Sequence, residues 1–482
     1  MINTLMHTVE ESLEQALQKV LDTDFPAGRY LTIETRLDNH FPVTPVEDLE
    51  HFFINKPDDQ TCLLGLGEMM SIRASGTQRL ESLKRQFKQL QDNWHYPASS
   101  APLAFIAFAF DENDPMTGDW QNIPNTLLQF PRILIKTTPA GKFLQFNMTI
   151  HSARQENQLK DEFKNIKTLL NQYLSYQSAT QPDVVPLNAE HRTSANSKIY
   201  KNNNTTENYH STRSNNKQAW QKLSQEALDE IQKGHFDKLV TSRQQWVRLA
   251  QEVSLAKLTD KLSRYYPACT VLSFLSKGTR LVCASPERLI HLQDAVIKSE
   301  AIGGTILKSP QQDANPPRLL PTDQDNPEYH KLLKEHRFIA QDIYQHLDPL
   351  CHSLKMSCSP YLMKLHNMYH LETPIEGVLQ EQYDVFDIIK ALHPTPAIAG
   401  FPALQAQQWL LAHEGYQRGW YSGAFGWLDA QMNGELSVML RCALLNSEQA
   451  HLYAGAGLIR ESDPEIEWQE TELKMQTILE ML

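Results

Sequence analysis

A mixed α/β fold built on large cores is what this 482-residue sequence predicts, on three observations. From Phe236 to the C-terminus, short β-branched and aromatic runs alternate with helical segments such as Tyr329 to Leu347. Hydrophobic residues at 41% and charged residues at 21% are those of an ordinary soluble globular protein, and the length is ample for an extensive buried core. The longest apolar run, Leu103 to Phe110, falls far short of the roughly 20 residues a membrane helix needs. Length alone would suggest about three domains.

The elements follow in order. Val9, Leu13, Leu17, Val20 and Leu21 recur at helical spacing, so an amphipathic helix is expected first. Its acidic residues Glu10, Glu11 and Glu14 and its lack of a basic segment before an apolar one argue against a secretory signal. The tract 178–216 is rich in Asn, Ser and Thr and nearly without apolar periodicity. It reads as a long exposed loop dividing an N-terminal half, 1–177, from a C-terminal region, 217–482. Helical spacing resumes at Trp220, Leu223, Ala227 and Ile231, with Gly234 as the stop, and FDKLVTSR (236–243) then reads as a strand. A second loop, 307–328, is rich in Pro, Asp and Gln. Near the end, Gly455-Ala456-Gly457 reads as a small-residue turn. Asp463 is a good N-cap, and Pro464 stands at the first helical position, where its missing N–H costs nothing. No internal repeat is present.

The formal net charge of −12 argues against a nucleic-acid partner and against an anionic membrane surface. The six cysteines are scattered, and even Cys351 and Cys358 miss a C-x2-4-C spacing. They read as reduced thiols of a cytoplasmic protein.

Several residues could carry chemistry. Glu467, Glu470 and Lys474 fall on one face of the last helix, beside the glycines. Two carboxylates and an ammonium there could hold a divalent cation together with an anionic small molecule; a solvated Glu470–Lys474 pair is the plainer alternative. Lys238 shares a strand face with Val240 and Ser242, and burial of an ammonium favours the neutral form a general base needs. An edge-strand lysine that blocks aggregation is the alternative. Glu287 stands among Cys283, Ala284, Leu289 and Ile290, where burial would keep it protonated as an acid, unless it pairs with Arg288. Gly303 and Gly304, before Thr305, read as a turn that exposes backbone N–H groups. Arg441 alternates with apolar residues on an expected buried strand and needs an anion, either a ligand or an internal carboxylate. His366 and His370, with Glu372 nearby, have the spacing of a zinc pair, but the intervening NMY is not that of a metalloprotease helix.

Nine segments carry a resemblance: FDKLVTSR, SPERLI (285–290), SEAIGGT (299–305), KEHRFIAQDI (334–343), HLETPIEG (370–377), ALHPTPAIAGFP (391–402), RGWYSGAFGW (418–427), VMLRCALL (438–445) and AGAGLIRESDPEIEWQETELK (454–474). In this order they resemble the chorismate-utilising enzymes, that is the isochorismate, salicylate, anthranilate and aminodeoxychorismate synthases. CLLGLGEMMSIR (62–73) and APLAFIAFAFDEND (101–114) resemble the sheet-forming first half of the same fold. The resemblance implies an α/β (α+β) sandwich of two antiparallel-rich sheets, helices packed outside and a pocket between them, working as one catalytic unit. It implies an isochorismate synthase, interconverting chorismate and isochorismate. Lys238 matches the lysine that activates water, Glu287 would be the general acid, and Gly303 stands where one amine-adding type carries a nucleophilic lysine. Glu335 and Glu470 would hold Mg²⁺, with Glu467 beside them. Arg441 would take the enolpyruvyl carboxylate, Tyr453 and Gly455 would line the pocket, and Lys474 would meet the metal-bound side. His370, Thr373 and His393 resemble pocket or supporting positions, with core histidines as the alternative. A monomer without an obligatory protein partner is expected. A salicylate synthase would use the same residues and then eliminate pyruvate. Anthranilate synthase component I would need ammonia and a glutaminase, and Lys238 argues against it. A silent homologue that only binds has no use for both an acid and a base. The 307–328 connection is longer than is usual in these enzymes.

Overall fold

Long antiparallel ladders dominate the computed structural model. It describes residues 29–482 apart from 40, 97–99, 151–155, 180–208, 211–215, 308–326 and 365–367, together with residues 11, 14, 15 and 18. The strands are β1 (Arg29–Leu37), β2 (His51–Lys56), β3 (Thr61–Ala74), β4 (Trp94–His95), β5 (Leu103–Phe108), β6 (Thr126–Thr138), β7 (Gly141–Ile150), β8 (Tyr209–His210), β9 (Lys238–Leu249), β10 (Thr270–Ser276), β11 (Thr279–Ser285), β12 (Arg288–Gln293), β13 (Val296–Leu307), β14 (Cys351–Met356), β15 (Tyr361–Lys364), β16 (Met368–Leu379), β17 (Gly400–Phe401), β18 (Ala424–Asp429), β19 (Gly434–Val438), β20 (Cys442–Leu445) and β21 (Gln449–Leu458). The helices are α1 (Arg79–Gln91), α2 (Glu156–Ala179), α3 (Asn216–Gln232), α4 (Leu255–Tyr265), α5 (Pro327–Leu347), α6 (Val385–Leu392), α7 (Ala403–His413) and α8 (Pro464–Leu479).

The two sheets expected are two arms of one hydrogen-bonded sheet. Arm one runs β5–β18–β19–β12–β13–β16, with β14 and β15 both on β16. Arm two runs β3–β2–β10–β11–β20–β21–β9, with β17 and β8 both on β9. They join at β3 and β6, which pair from Cys62↔Thr137 to Ala74↔Thr126, while β6 also pairs β5 and β7. The chain passes from arm two to arm one through Pro286–Glu287, between β11 and β12. It returns through Met439–Arg441, between β19 and β20. Those two crossovers are stitched to each other: Val438 N–H donates to the Glu287 carbonyl at 3.0 Å, and Ala284 N–H to that of Arg441 at 3.1 Å.

Helices cover the arms because their apolar faces have nowhere else to go. On α5, Ile339, Ile343 and Leu347 recur at helical spacing and pack against Ile297, Ala301 and Ile375. On arm two, Leu255, Leu258 and Leu262 of α4 and Met475, Ile478 and Leu479 of α8 share a core with Val271, Val282, Ala443 and Leu452. Helix α8 starts as read: the Asp463 side chain accepts from Glu465 N–H, and Pro464 is the first helical residue.

Three local expectations are corrected. SEAIGGT is no turn; it continues β13, with a bulge where the register shifts between Gly303 and Thr305 and Gly304 adopts φ 73°. Gly455-Ala456-Gly457 is likewise strand, the inner part of β21 paired with Val240–Ser242. Arg441 lies on the crossover rather than on a strand, at φ 51°. Apolar alternation cannot reveal such a kink, because the flanking residues are buried on either geometry. Of the tract 178–216, α2 extends to Ala179, α3 begins at Asn216, and Tyr209–His210 pair with β9; the rest lies outside the described residues. The same holds for most of the 307–328 connection, although its last two residues open α5. In the expected first helix, Glu11, Glu14, Gln15 and Gln18 are helical and exposed, while its apolar residues lie outside the described set.

Candidate active site

Missing side chains on β21 make room for the site. A Cβ on Gly457 would lie 2.6 Å from Glu335 Oε1 and 2.6 Å from Lys238 Cε. One on Gly455 would lie 3.0 Å from the Tyr421 hydroxyl. Lys238 therefore reaches across its neighbouring strand to meet Glu335 of α5, at 3.0 Å and with 1% of its side chain exposed. The pocket around this pair lies between the two arms. Lys238, Glu287, Gly303, Gly304, Thr305, Glu335, His370, Arg441, Tyr453, Gly455, Glu470 and Lys474 all line it. Of the expected set, Glu467 lies behind the wall.

Glu287 sits on the first crossover, 5% exposed. Its N–H donates to Ser285 Oγ at 3.2 Å, which fixes the backbone. Burial pushes its carboxyl up to about 8; Lys238 and Lys474 pull it back in part, and Glu300 adds to the rise. The Arg288 alternative fails, because that guanidinium turns to Glu300 at 2.6 Å and Asp59 at 3.2 Å.

Arg441 sits on the second crossover. Its NH2 donates to His370 Nε2 at 2.9 Å and approaches Met368 Sδ at 3.3 Å, while NH1 is buried without a hydrogen-bond partner. Among the described residues no carboxylate pairs with it. The internal-Glu alternative therefore falls, and an unsatisfied buried donor remains on a residue that lines the pocket. Because an arginine only donates, His370 Nε2 must be the accepting nitrogen, so its ring proton is on Nδ1. Burial, helped by Arg441 and Lys474, holds His370 down to about 3, and the ring stays neutral. Engaged in this way, Nε2 has no lone pair for zinc; His366 lies outside the described residues.

Lys474 pairs with Glu470 at 2.7 Å and donates to the Gly455 carbonyl at 2.9 Å. Thr305 Oγ1, beyond the β13 bulge, donates to Glu470 at 3.0 Å. Burial alone would raise Glu470, but Lys474 and Thr305 outweigh it and hold the carboxyl below its ordinary range. Glu467 goes the other way: burial, then Glu470 and Glu335, push it up to about 7 even though Lys331 lies 2.7 Å away. Glu470 and Glu335 thus both act on Glu467, and an all-oxygen donor set of this charge suits Mg²⁺. As arranged, each holds a lysine, and among the described residues no three acidic, His or Cys groups form a ready metal cluster.

Tyr453 stacks on Tyr421 with centroids 5.4 Å apart. Thr373 meets His336 Nε2 at 2.7 Å, and His393 meets the Ser422 carbonyl at 3.0 Å with its ring edge-on to Phe108. Neither lines the pocket; both lie one layer behind it. Sequence reasoning missed Tyr421 and Ser422, which do line it. Ser422 has φ 60°, a conformation no local pattern betrays, although both lie within the RGWYSGAFGW segment.

Comparison with known proteins bears on the family and the fold. The family described as chorismate binding enzyme matches residues 32–482. Isochorismate synthase MenF of Bacillus subtilis (strain 168) is 24% identical over 441 residues, covering 89% of this chain and 87% of that protein. The salicylate biosynthesis isochorismate synthase of Pseudomonas aeruginosa is 32% identical over 266 residues, 55% of this chain and 54% of that one. Among solved structures, MenF, the menaquinone-specific isochorismate synthase from Escherichia coli, superposes with a TM-score of 0.72 at 23% identity, over 98% of this chain and 99% of that chain.

Proposed function

Because this chain belongs to the family of chorismate-binding enzymes, we propose that it is an isochorismate synthase, with Lys238 and Glu287 as its base and acid. The observation that carries the assignment of roles is the carboxyl of Glu287. At about 8 it still holds its proton at neutral pH, in the same pocket as a buried lysine. An acid and a base in one pocket suit a reaction that takes a proton from one oxygen and gives one to another.

In the forward direction Lys238 takes a proton from water as the water oxygen bonds to ring carbon-2. The ring double bonds shift, the bond from carbon-4 to its hydroxyl breaks, and Glu287 protonates the departing oxygen as water. Lys238 is left protonated and Glu287 ionised, and exchange with solvent resets both. The reverse reaction uses the same groups with exchanged roles. The Lys238 nitrogen lies 3.0 Å from Glu335, so that pair must open before the nitrogen can turn to the water. Gly303 offers no side chain that could attack the ring, which leaves water as the nucleophile. Arg441, with its unpartnered NH1, takes the enolpyruvyl carboxylate, and neutral His370 holds that guanidinium in place. Tyr453 and Gly455 shape the wall beside the ring. Glu335 and Glu470, with Glu467 behind them, would hold Mg²⁺. When bound, the ion supplies positive charge for the ring carboxylate of the substrate.

The test is incubation with chorismate, Mg²⁺ and ammonium, followed by chromatography. Isochorismate and no anthranilate is the expected result. Salicylate with pyruvate would move the reading to a salicylate synthase, and anthranilate would end it. EDTA should abolish turnover and added Mg²⁺ restore it; full activity in excess chelator would remove the metal assignment.

A further inference from the structure

Three lysines and three carboxylates are paired one to one here: Lys238 with Glu335 at 3.0 Å, Lys474 with Glu470 at 2.7 Å, and Lys331 with Glu467 at 2.7 Å. The first two lysines line the pocket, and Lys331 does not. It lies on α5 one turn before Glu335, so the two side chains share a helix face. Glu467 lies one turn before Glu470 on α8 and is 3% exposed. The pair therefore clips the first turns of α5 to α8 through a carboxylate almost wholly out of water. A neighbouring pair between the same regions, Lys334–Glu461, is half exposed on both sides and adds little.

An oxygen that accepts from an ammonium at 2.7 Å cannot direct the same lone pair at a metal ion. A unit positive charge held at this spot also repels an incoming divalent cation. We propose that Lys331 is a built-in competitor for the cation: it sets the affinity for Mg²⁺ by holding Glu467, and it must release that carboxylate for the ion to settle. Cation binding would then exchange the Lys331–Glu467 tie between α5 and α8 for one through the ion, since Glu335 lies on α5 and Glu470 on α8. This rests on the Mg²⁺ reading above. It goes further in giving a role to a lysine outside the pocket and a direction to its removal.

The test is calorimetric titration of the whole chain with Mg²⁺, without chorismate, for wild type and Lys331→Met, Lys331→Gln and Lys331→Arg, each first checked by thermal melting. Lys331→Gln keeps a hydrogen-bond donor and so serves if the Met variant does not fold. The neutral variants should bind Mg²⁺ about tenfold more tightly or better, and Lys331→Arg no more tightly than wild type. A purely structural clip would lower the melting temperature without tightening the metal. Neutral variants that bind Mg²⁺ equally or more weakly overturn the proposal. A wild type that takes up no Mg²⁺ and keeps full activity in EDTA overturns the metal reading itself, a separate and recognisable failure.

Discussion

Glu287 keeps its proton because burial makes its anion costly, and that has consequences both for rate and for stability. With the folded value near 8 against an ordinary 4.5, the acid form is depleted as the pH climbs through about 8. The forward kcat/KM should therefore fall above that pH; a flat profile to pH 9.5 would contradict the role. The sign for stability follows from the same shift. The folded state binds more protons than the unfolded one between the two values, so this contribution is full below about 4.5 and is lost as pH rises through about 8. Glu287→Gln should accordingly lose less melting temperature than wild type between pH 5 and pH 9. At neutral pH, Lys238→Ala and Glu287→Gln should each cost on the order of 10²–10⁴ in turnover with binding largely kept, which single-turnover kinetics can check. Arg441→Met should raise the KM for chorismate far more than it lowers kcat. At this scale the sequence was informative. Lys238, Glu287 and Glu470, which the family resemblance singles out, all line one pocket. What the sequence hid was orientation: whether Arg288 would quench Glu287, and whether Arg441 had an internal carboxylate.

Glycines show the same limit for whole elements. GGT and GAG read as turns, since two glycines in a short span usually mark one. Both are strand segments in which the lost side chain serves a neighbour. At Gly457 the obstacles are the ends of two flexible side chains, Glu335 and Lys238. At Gly426 the added Cβ would sit 1.9 Å from the Glu435 carbonyl oxygen, which is backbone. The two changes to alanine should therefore separate. Gly457→Ala should cost at least about tenfold in turnover while melting near wild type, because those side chains can move, though out of their working position. Gly426→Ala should melt clearly lower, because the ladder must shift. Equal effects on both properties at the two sites would refute this account. Helix starts and apolar faces were readable because caps and periodicity are local. The bulge at Gly304 and the kink at Arg441 were not, because long-range pairing and the crossover create them.

On the scale of the molecule, the alternating strand and helix signals foretold a mixed fold. They could not show that the arms stay joined through β3 and β6, since pairing partners are far apart in sequence. The crossovers matter most here. Glu287 and Arg441 sit on the two stitched passages between arms, and Lys238 and His370 come from opposite arms. Each arm can form its hairpins from nearby strands, but the proposed acid, base and anion site meet only when both are docked. Regained turnover is thus a clock for the last and least local event of folding. In refolding from denaturant, far-ultraviolet circular dichroism should recover first and isochorismate formation measurably later, and the lag between them would time the closing of the two arms.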